Sequence, residues 1–495
     1  MYDYIVVGGG SAGCVLAARL SEDPDARILL VEAGPNFRSS AEFPKEIRGP
    51  NEQCILGTSY SWIYDAQLVR GGPGVPIFRG RVMGGSGAVN SGLFMRATAD
   101  DFDAWGSSSW TWADALRCYC RIESDGDFQA EYHGNQGPVP VNRDPRGSWR
   151  PLYDAFYEAS VQAGFAQVED LNAPGASGVG ATPKNYRDGV RVNAAMAFME
   201  PALERPNLTV MSDCVATRIV FRGSEAAAVE VVAQGQRQRL EGGTIILSAG
   251  AIATPQLLML SGIGPAEQLR GLQIPVVVDL PGVGARLQDH PGALTMYTAK
   301  DASLLLGEHE AGRNQVLITH TSSTSATAND LQTQAVYLPD HIASMTFLEA
   351  EVSEGMLELA SSDPMAPPRL TFNYLDDPAD RQRIREGVRL ATELMDSTPM
   401  QAVVGERLFP SNEVLRTDAG LDSWLRETLA TAYHTHGTCR IGAADDPSAV
   451  VDDRCGVHGV QGLVVADLSI AGSIRMPTNA TAMMIGERVA ELLVG

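Results

Sequence analysis

The first residues of the chain place two apolar runs on either side of a segment whose apolar positions suit a helix. The runs lie in residues 4–7 and 27–31, and the segment between them extends from about Ser11 to Leu20. An apolar run of this length, bounded by turn residues, is typical of a strand buried on both faces of a parallel sheet. The pattern therefore predicts a strand–helix–strand unit at the start of the chain.

Strand-like and helical segments follow one another through the rest of the chain, which favours the α/β fold class. Strands are predicted over 208–231, 244–247, 314–319, 332–338 and 463–466, and helices over 113–122, 254–260, 377–395 and 483–493. At 495 residues the chain is expected to form two domains. The opening unit needs distant C-terminal segments to complete its sheet, so one of these domains is expected to be discontinuous in sequence.

Three glycines and one acid fall at the turns of the opening unit. Gly8, Gly10 and Gly13 fit the G-x-G-x-x-G pattern between the first strand and the helix, and Glu32 ends the second strand. Glycines at these positions permit a tight turn, let backbone approach a pyrophosphate and let the helix press on the strand. An acid about 20 residues further on is the expected acceptor for ribose hydroxyls. The combination predicts a dinucleotide site.

Charge and composition exclude several kinds of partner. The formal net charge is −22, which repels nucleic acid and anionic membranes, and no apolar run approaches the length that spans a bilayer. A first strand starting at residue 2 or 3 leaves no room for a signal peptide. The seven cysteines are scattered and lack metal-site spacing. We therefore expect a reduced, cytoplasmic protein with no metal, nucleic-acid or membrane partner.

Four further segments extend the dinucleotide pattern. They read GRVMGGSGAVN at 80–90, GAIATPQLLMLSGIG at 250–264, GVGARLQDHP at 282–291, and YHTHGTCR at 433–440 with NATAMMIGE at 479–487. In these segments, and in their order from residue 3 to about 490, the chain closely resembles the glucose–methanol–choline (GMC) family of flavin oxidoreductases.

The resemblance implies a fold and a reaction. It implies a Rossmann-like FAD-binding domain from residues 1–148, 190–291 and 432–495, and a substrate domain of mixed sheet and helices from 149–189 and 292–431. It also implies oxidation of an alcohol to an aldehyde or ketone by hydride transfer to the flavin N5 atom. The partners would be a small alcohol and O2 or another electron acceptor. A hydroxynitrile lyase on the same flavin scaffold is the alternative.

The resemblance also assigns roles to individual residues. His434 and Asn479 would form the catalytic pair. The expected FAD contacts are Gly8, Gly10, Ser11, Gly13, Glu32, Arg81, Gly84, Gly85, Asn90, Ser91, Val215, Asp467 and Asn479. Polar and aromatic side chains that could face a substrate are Trp62, Ser91, Gln334 and His436.

Chemistry explains the need for a histidine. An alcohol gives up a hydride readily only when a base takes its hydroxyl proton, and imidazole titrates near neutral pH. On chemistry alone either His434 or His436 could serve, because both would lie on one face of an extended segment. The family pattern favours His434 as the base, and it makes His290 a structural histidine.

Two positions depart from relatives within the family. Some relatives bond the flavin covalently to a histidine where this chain has Val89. We therefore expect non-covalent FAD. Choline-oxidising relatives carry a glutamate directly after the Asp-His-Pro element, where this chain has Gly292. We therefore expect the substrate to be a neutral alcohol of modest size rather than choline.

Overall fold

Strands from both ends of the chain meet in one seven-stranded sheet. The computed structural model describes residues 1–49, 57–129, 131–305 and 314–495. In spatial order the sheet contains Leu208–Met211, Ile28–Val31, Tyr2–Val7, Gln236–Leu247, Glu225–Ala233 and Cys214–Arg222, with Leu463–Val465 paired to Gln236–Leu247. The strands run parallel except Glu225–Ala233 and Cys214–Arg222. The carboxyl ends of the parallel strands meet at one edge, where open α/β sheets form ligand crevices.

A second, largely antiparallel sheet has eight strands. In spatial order they are Val404–Phe409, Pro291–Ala299, Ile342–Leu348, Leu331–Tyr337, Val316–His320, Gly178–Ala181 and Gln167–Val168, with Ala430–Thr431 paired to Pro291–Ala299. A third sheet contains Ala285–Leu287, Gly355–Glu358, Arg369–Thr371, Ser61–Gln67 and Gly74–Gly80. Three small ribbons pair Glu123–Asp125 with Val139–Val141, Tyr186–Arg187 with Val190–Arg191, and Ile263–Gly264 with Val278–Asp279.

Helices pack against these sheets. They are Ser11–Leu20, Lys45–Arg48, Ser86–Val89, Ala99–Trp105, Trp112–Ile122, Pro151–Gln162, Glu200–Ala202, Gly250–Leu260, Ala266–Gly271, Pro378–Met395, Asn412–Leu415, Asp418–Thr428 and Asn479–Val494. Single tight turns occur at Arg146–Ser148, Ala302–Leu304, Pro399–Ala402 and Leu468–Ile470, and a wide turn at Ala195–Met199. The α/β class is thus confirmed, whereas the domain boundaries stay a prediction.

Two predicted helix starts were wrong, each by four residues. The helix predicted from 254 begins at Gly250, upstream of Pro255. Proline removes the N–H that would bond the carbonyl four residues back, which is that of Ala251. The Thr438 hydroxyl donates to this carbonyl at 2.7 Å and replaces the missing bond. The last helix begins at Asn479 rather than 483, which places Asn479 at its first turn.

Six of the seven cysteines lie within the described residues. Cys14, Cys118, Cys120, Cys214, Cys439 and Cys455 are free thiols, and Cys54 lies outside the described residues. No helix within the described ranges is both long and apolar enough to cross a membrane.

Candidate active site

The glycine turn leaves the first helix open at its N-terminus. Gly8 has φ +104°, a conformation that favours glycine, and a Cβ there would lie 2.4 Å from the Ser248 carbonyl oxygen. Gly10 is the N-cap of the helix Ser11–Leu20 and supplies no capping side chain. The first N–H groups of that helix are therefore available to an anion.

Glu32 braces this turn from the second strand. Its carboxylate accepts from the N–H of Gly9 and the N–H of Gly34, each at 2.8 Å. Burial raises the pKa of Glu32 to about 7. Each carboxylate oxygen keeps a further lone pair, which suits a ribose hydroxyl donor.

The glycine-rich loop at residues 80–90 packs against the glycine turn at residues 8–10. Gly85 has φ +56°, and a Cβ on it would lie 2.6 Å from the Cα atom of Gly10. The two loops therefore touch through backbone alone, and a side chain at Gly85 would separate them.

Asp467 joins the end of the strand Leu463–Val465 to the helix Gly250–Leu260. Its Oδ2 atom accepts from the N–H of Gly250 at 2.8 Å and from the Thr254 hydroxyl at 2.6 Å. Burial raises the pKa of this carboxyl group. The aspartate therefore fixes a second helix N-terminus beside the first.

These elements surround one cavity of about 810 Å³. Predicted site residues that line it are Gly8, Gly10, Ser11, Glu32, Trp62, Gly85, Asn90, Ser91, Val215, Gln334, His434, Asp467 and Asn479. Predicted site residues outside the lining are Gly13, Arg81, Gly84 and His436. Residues of the dinucleotide pattern and the predicted catalytic pair thus line the same cavity.

Three of the four residues outside the lining contact residues that line the cavity, and Gly84 directly precedes the lining residue Gly85. A Cβ on Gly13 would fall 1.9 Å from the Gly8 carbonyl oxygen, so Gly13 permits helix–strand packing. The Arg81 guanidinium stacks 4.7 Å from the centre of the Trp62 ring. His436 is 1% exposed and its Nδ1 lies 2.9 Å from the carbonyl oxygen of His434. His436 lies outside the lining of the cavity, and its contact with a substrate stays a prediction.

The backbone before His434 is held in an uncommon conformation. Tyr433 has φ +62°, which costs a non-glycine residue about 1–2 kcal/mol. Arg79 donates to the Tyr433 carbonyl oxygen at 2.7 Å and also bonds the Thr435 hydroxyl. Asp289 Oδ1 accepts from the His434 N–H at 2.6 Å. These contacts fix the direction of the His434 side chain.

Asn479 faces the cavity from the other side. Its Oδ1 atom accepts from the Ser11 hydroxyl at 2.9 Å, which sets the orientation of the amide. Its Nδ2 atom is buried and has no hydrogen-bond partner in the described part of the chain. The amide therefore presents an unpaired N–H donor toward the cavity.

The eight-stranded sheet supplies a polar wall. Gln332 and Gln334 alternate along one strand and both line the cavity, as does Asn314. All three amides are at least nine-tenths buried, and their side-chain oxygens have no partner among the residues that the structure describes. Buried amide oxygens need hydrogen-bond donors, so this wall suits a ligand that carries hydroxyl or N–H groups.

Gly292 leaves room for a phenyl ring at the same wall. It pairs with Phe347 on the neighbouring strand, and a Cβ on Gly292 would lie 2.7 Å from the ring. Phe347 lines the cavity. The ring therefore fills the space into which a longer side chain at position 292 would extend.

Comparison with known protein families shows the family to which the chain belongs. Residues 2–292 match the N-terminal domain of the GMC oxidoreductase family, and residues 351–486 match its C-terminal domain. The chain is a GMC oxidoreductase. The predicted resemblance is confirmed, and the GMC family makes the protein an FAD-dependent enzyme that acts on CH–OH donors.

Similar proteins cover the full length of this GMC oxidoreductase. A GMC-type oxidoreductase of Rhodococcus erythropolis is 39% identical, with 100% of this chain and 98% of the relative aligned. An oxygen-dependent choline dehydrogenase of Chromohalobacter salexigens is 33% identical over 100% of this chain and 95% of its own. The crystal structure of pyridoxine 4-oxidase from Mesorbium loti superimposes with a TM-score of 0.92 at 28% identity, covering 99% of each chain.

The residues around the cavity fit FAD. Gly10 approaches the cavity with no side chain, and the nearest protein atoms to a Cβ there are 3.9 and 4.0 Å away. The open helix N-terminus beside Gly10 would hold the pyrophosphate, and Glu32 the ribose hydroxyls. The unpaired Nδ2 atom of Asn479 supplies a donor further along the same cavity.

The GMC oxidoreductase should release its flavin on acid denaturation. Val89 lines the cavity where some relatives carry the linking histidine, and its side chain forms no covalent bond to a flavin. Precipitation with acid followed by absorbance of the supernatant at flavin wavelengths measures the outcome. Yellow colour that stays with the pellet would contradict the prediction.

Several site residues escaped the sequence analysis. Arg79, Asp289 and Glu349 position the histidines, and Asn314 and Gln332 extend the polar wall. The sequence contained an indication for Glu349, because a charged residue directly follows the buried strand Ile342–Leu348. His290 was interpreted as purely structural, yet its Nδ1 atom lies 2.8 Å from Nδ1 of His434.

Proposed function

We propose that this GMC oxidoreductase oxidises a compact, uncharged alcohol that carries additional hydroxyl groups, with His434 as the general base. The observation that carries the proposal is the joint lining of one cavity by His434, Asn479 and the amide wall. O2 or another acceptor would then reoxidise the flavin.

His434 is suited to take the hydroxyl proton. Its Nδ1 atom is engaged by His290, which leaves Nε2 as the ring nitrogen available to the cavity. Burial, together with the nearby His290 and Arg79, lowers the pKa of His434 well below its ordinary value. The imidazole is therefore uncharged, and it can accept a proton when its Nε2 atom carries no hydrogen. FAD, when bound, accepts the hydride that leaves the carbinol carbon.

Asn479 would orient the alcohol. Because the Ser11 hydroxyl holds its Oδ1 atom, the amide directs Nδ2 as a donor. A donor to the alcohol oxygen fixes the carbinol carbon relative to the base without taking a proton. We infer that Asn479 contributes orientation and that His434 contributes proton transfer.

The charge of the lining supports an uncharged substrate. Among the described lining residues the carboxylates are Glu32 and Asp467, and both brace the helix N-termini at the cofactor end. The wall near His434 instead presents Gln332, Gln334 and the ring of Phe347. A quaternary ammonium would find no carboxylate at this wall. The chemistry therefore favours pyridoxine, the substrate in the name of the similar crystal structure, over choline, the substrate in the name of the sequence relative.

A substrate panel tests the proposal. Anaerobic stopped-flow bleaching of the flavin should be faster with pyridoxine than with benzyl alcohol, a long-chain alkanol or choline, because buried amides left unpaired cost binding energy. Gln334→Leu should lower kcat/KM for pyridoxine at least about 5-fold and leave benzyl alcohol nearly unchanged. Fastest bleaching by choline or the alkanol would refute the substrate class.

The same assay separates the lyase alternative. A hydroxynitrile lyase would cleave its substrate without bleaching the flavin, whereas an alcohol oxidoreductase bleaches it in the absence of oxygen. The relatives described above are named an oxidoreductase, a dehydrogenase and an oxidase, so they give the lyase no support.

A further inference from the structure

A second histidine and a glutamate lie directly behind His434, outside the described lining of the cavity. Nδ1 of His290 lies 2.8 Å from Nδ1 of His434 and 2.7 Å from Oε2 of Glu349. Nε2 of His290 lies 2.6 Å from the carbonyl oxygen of Ile474. His290 is fully buried and Glu349 is 1% exposed. The His434 imidazole and the buried Glu349 carboxylate thus both approach Nδ1 of His290.

The Ile474 carbonyl determines which His290 nitrogen can change its protonation. A carbonyl only accepts hydrogen bonds, so Nε2 of His290 carries a hydrogen permanently. If Nδ1 of His290 is bare, it accepts from the Nδ1–H of His434 and leaves Nε2 of His434 with a free lone pair. If Nδ1 of His290 carries a hydrogen, it donates to Nδ1 of His434, and the hydrogen of His434 then occupies Nε2. The first arrangement gives a base that faces the cavity, and the second does not.

We propose that His290, with Glu349 as its counter-ion, sets the tautomer of His434 and receives the proton that His434 takes from the alcohol. This role rests on the proposed function of His434. The O–H bond of the alcohol breaks and its proton bonds Nε2 of His434, while the hydrogen on Nδ1 of His434 moves to Nδ1 of His290. The carbinol hydrogen leaves with two electrons for FAD, the oxidant of the family reaction. His434 ends uncharged, and the positive charge lies on His290 beside Glu349.

The charges around His290 favour this transfer. The groups that face it are Asp289, Glu349, Glu351, His434 and His436. Burial opposes a charged imidazole, but the Glu349 carboxylate outweighs burial and raises the pKa of His290 to about 10. Burial raises the pKa of Glu351 to about 8, which leaves that group largely uncharged at neutral pH. Glu349 is therefore the charged partner that makes His290 the stronger proton acceptor of the two histidines.

Asp289 has a separate, structural task. Its Oδ1 atom accepts from the backbone N–H groups of His290 and His434 at 2.9 and 2.6 Å. Its Oδ2 atom accepts from the Tyr374 hydroxyl at 2.9 Å and from the Thr431 hydroxyl. Four donors bond this carboxylate. Asp289 therefore fixes the backbone positions of the two histidines, whereas Glu349 balances the charge of His290.

The test compares two isosteric variants. Flavin reduction by alcohol in the wild type should rise with pH, with an apparent pKa above the ordinary value of about 6.5, because a protonated His290 blocks the base. Glu349→Gln should move this rise to lower pH and lower the plateau rate about 10- to 100-fold, since the counter-ion that stabilises protonated His290 is lost. Glu351→Gln, the matched comparison two residues away, removes a carboxyl group 4.0 Å from Nε2 of His290 and should lower the apparent pKa by less than Glu349→Gln does. A lower plateau in Glu349→Gln with an unmoved pKa, or an equal shift in both variants, would overturn the proposal.

A measurement on the wild type tests the role of His290 without relying on turnover or on the folding of variants. The chain has eight histidines, so ¹⁵N-histidine NMR of the FAD-bound protein can follow each imidazole. Nδ1 of His290 should titrate above the ordinary range while its Nε2 stays protonated. A His290 whose Nδ1 stays unprotonated from pH 6 to pH 10 would refute the relay even if alcohols bleach the flavin. Failure of every alcohol to bleach it, with His290 titrating as described, would instead refute the proposed function.

Discussion

His434→Ala is expected to bind FAD as the wild type does and to reduce it with an alcohol about 10²- to 10⁴-fold more slowly. The substitution removes the imidazole whose Nε2 is available to the cavity, and the hydroxyl proton then has no acceptor in position. The backbone contact from His434 to Asp289 does not involve the side chain, so the loop should keep its course. Single-turnover stopped-flow absorbance, with flavin content measured beforehand, gives the rate.

His436→Ala is the matched comparison. His436 is two residues away and buried, and it meets His434 only through the carbonyl oxygen of the latter in the described structure. The loss of rate should therefore be much smaller than in His434→Ala. A larger loss at His436 would exchange the roles of the two histidines.

Gly10→Ala is expected to weaken FAD binding at least about 10-fold without lowering the stability of the apoprotein. Gly10 has φ −78°, which alanine adopts without strain, and its new Cβ would meet no protein atom closer than 3.9 Å. The methyl group would occupy cavity space that the pyrophosphate needs for its approach to the backbone. Fluorescence titration of apoprotein with FAD measures affinity, and thermal unfolding of the apoprotein measures stability. Gly10→Trp should abolish binding by filling the same space.

Substitutions at two other glycines serve as controls for flavin affinity and for the stability of the apoprotein. Gly147 has open space around its Cβ position and does not line the cavity, so Gly147→Ala should change neither quantity. Gly8→Ala should destabilise the apoprotein itself, because its Cβ would strike the Ser248 carbonyl oxygen. Full flavin affinity in Gly10→Ala would show that the turn does not hold a pyrophosphate.

The opening unit shows what the sequence predicts well. The helix Ser11–Leu20 and the strand Ile28–Val31 appear almost where the apolar pattern places them, because local burial and glycine chemistry determine both. The helix at Gly250 was predicted to begin too late because the carbonyl of Ala251, which Pro255 leaves without its helical partner, is bonded by Thr438, a residue 187 positions from Ala251. Local patterns carry no information about such a distant donor.

The histidine cluster shows the same limit at the site. His434 was assigned from a motif of consecutive residues, whereas its partners His290 and Glu349 come from two other parts of the chain. Their convergence depends on pairing between the strands Pro291–Ala299 and Ile342–Leu348, which follow and precede these residues. A glutamate after an apolar strand is ordinarily a solvated strand end. Only the packed sheet makes Glu349 a buried counter-ion.

The strand Leu463–Val465 has a consequence for biosynthesis. It completes the parallel sheet next to Gln236–Leu247, and Asp467 and Asn479, which follow it in the chain, both line the cofactor cavity. A ribosome-bound chain that has been made only as far as residue 460 therefore has an open sheet edge and no complete place for a flavin. Pairings between such distant segments form slowly and leave partly folded chains exposed to aggregation. Flavin capture thus requires synthesis to pass residue 479, and bound FAD then stabilises the folded chain by mass action.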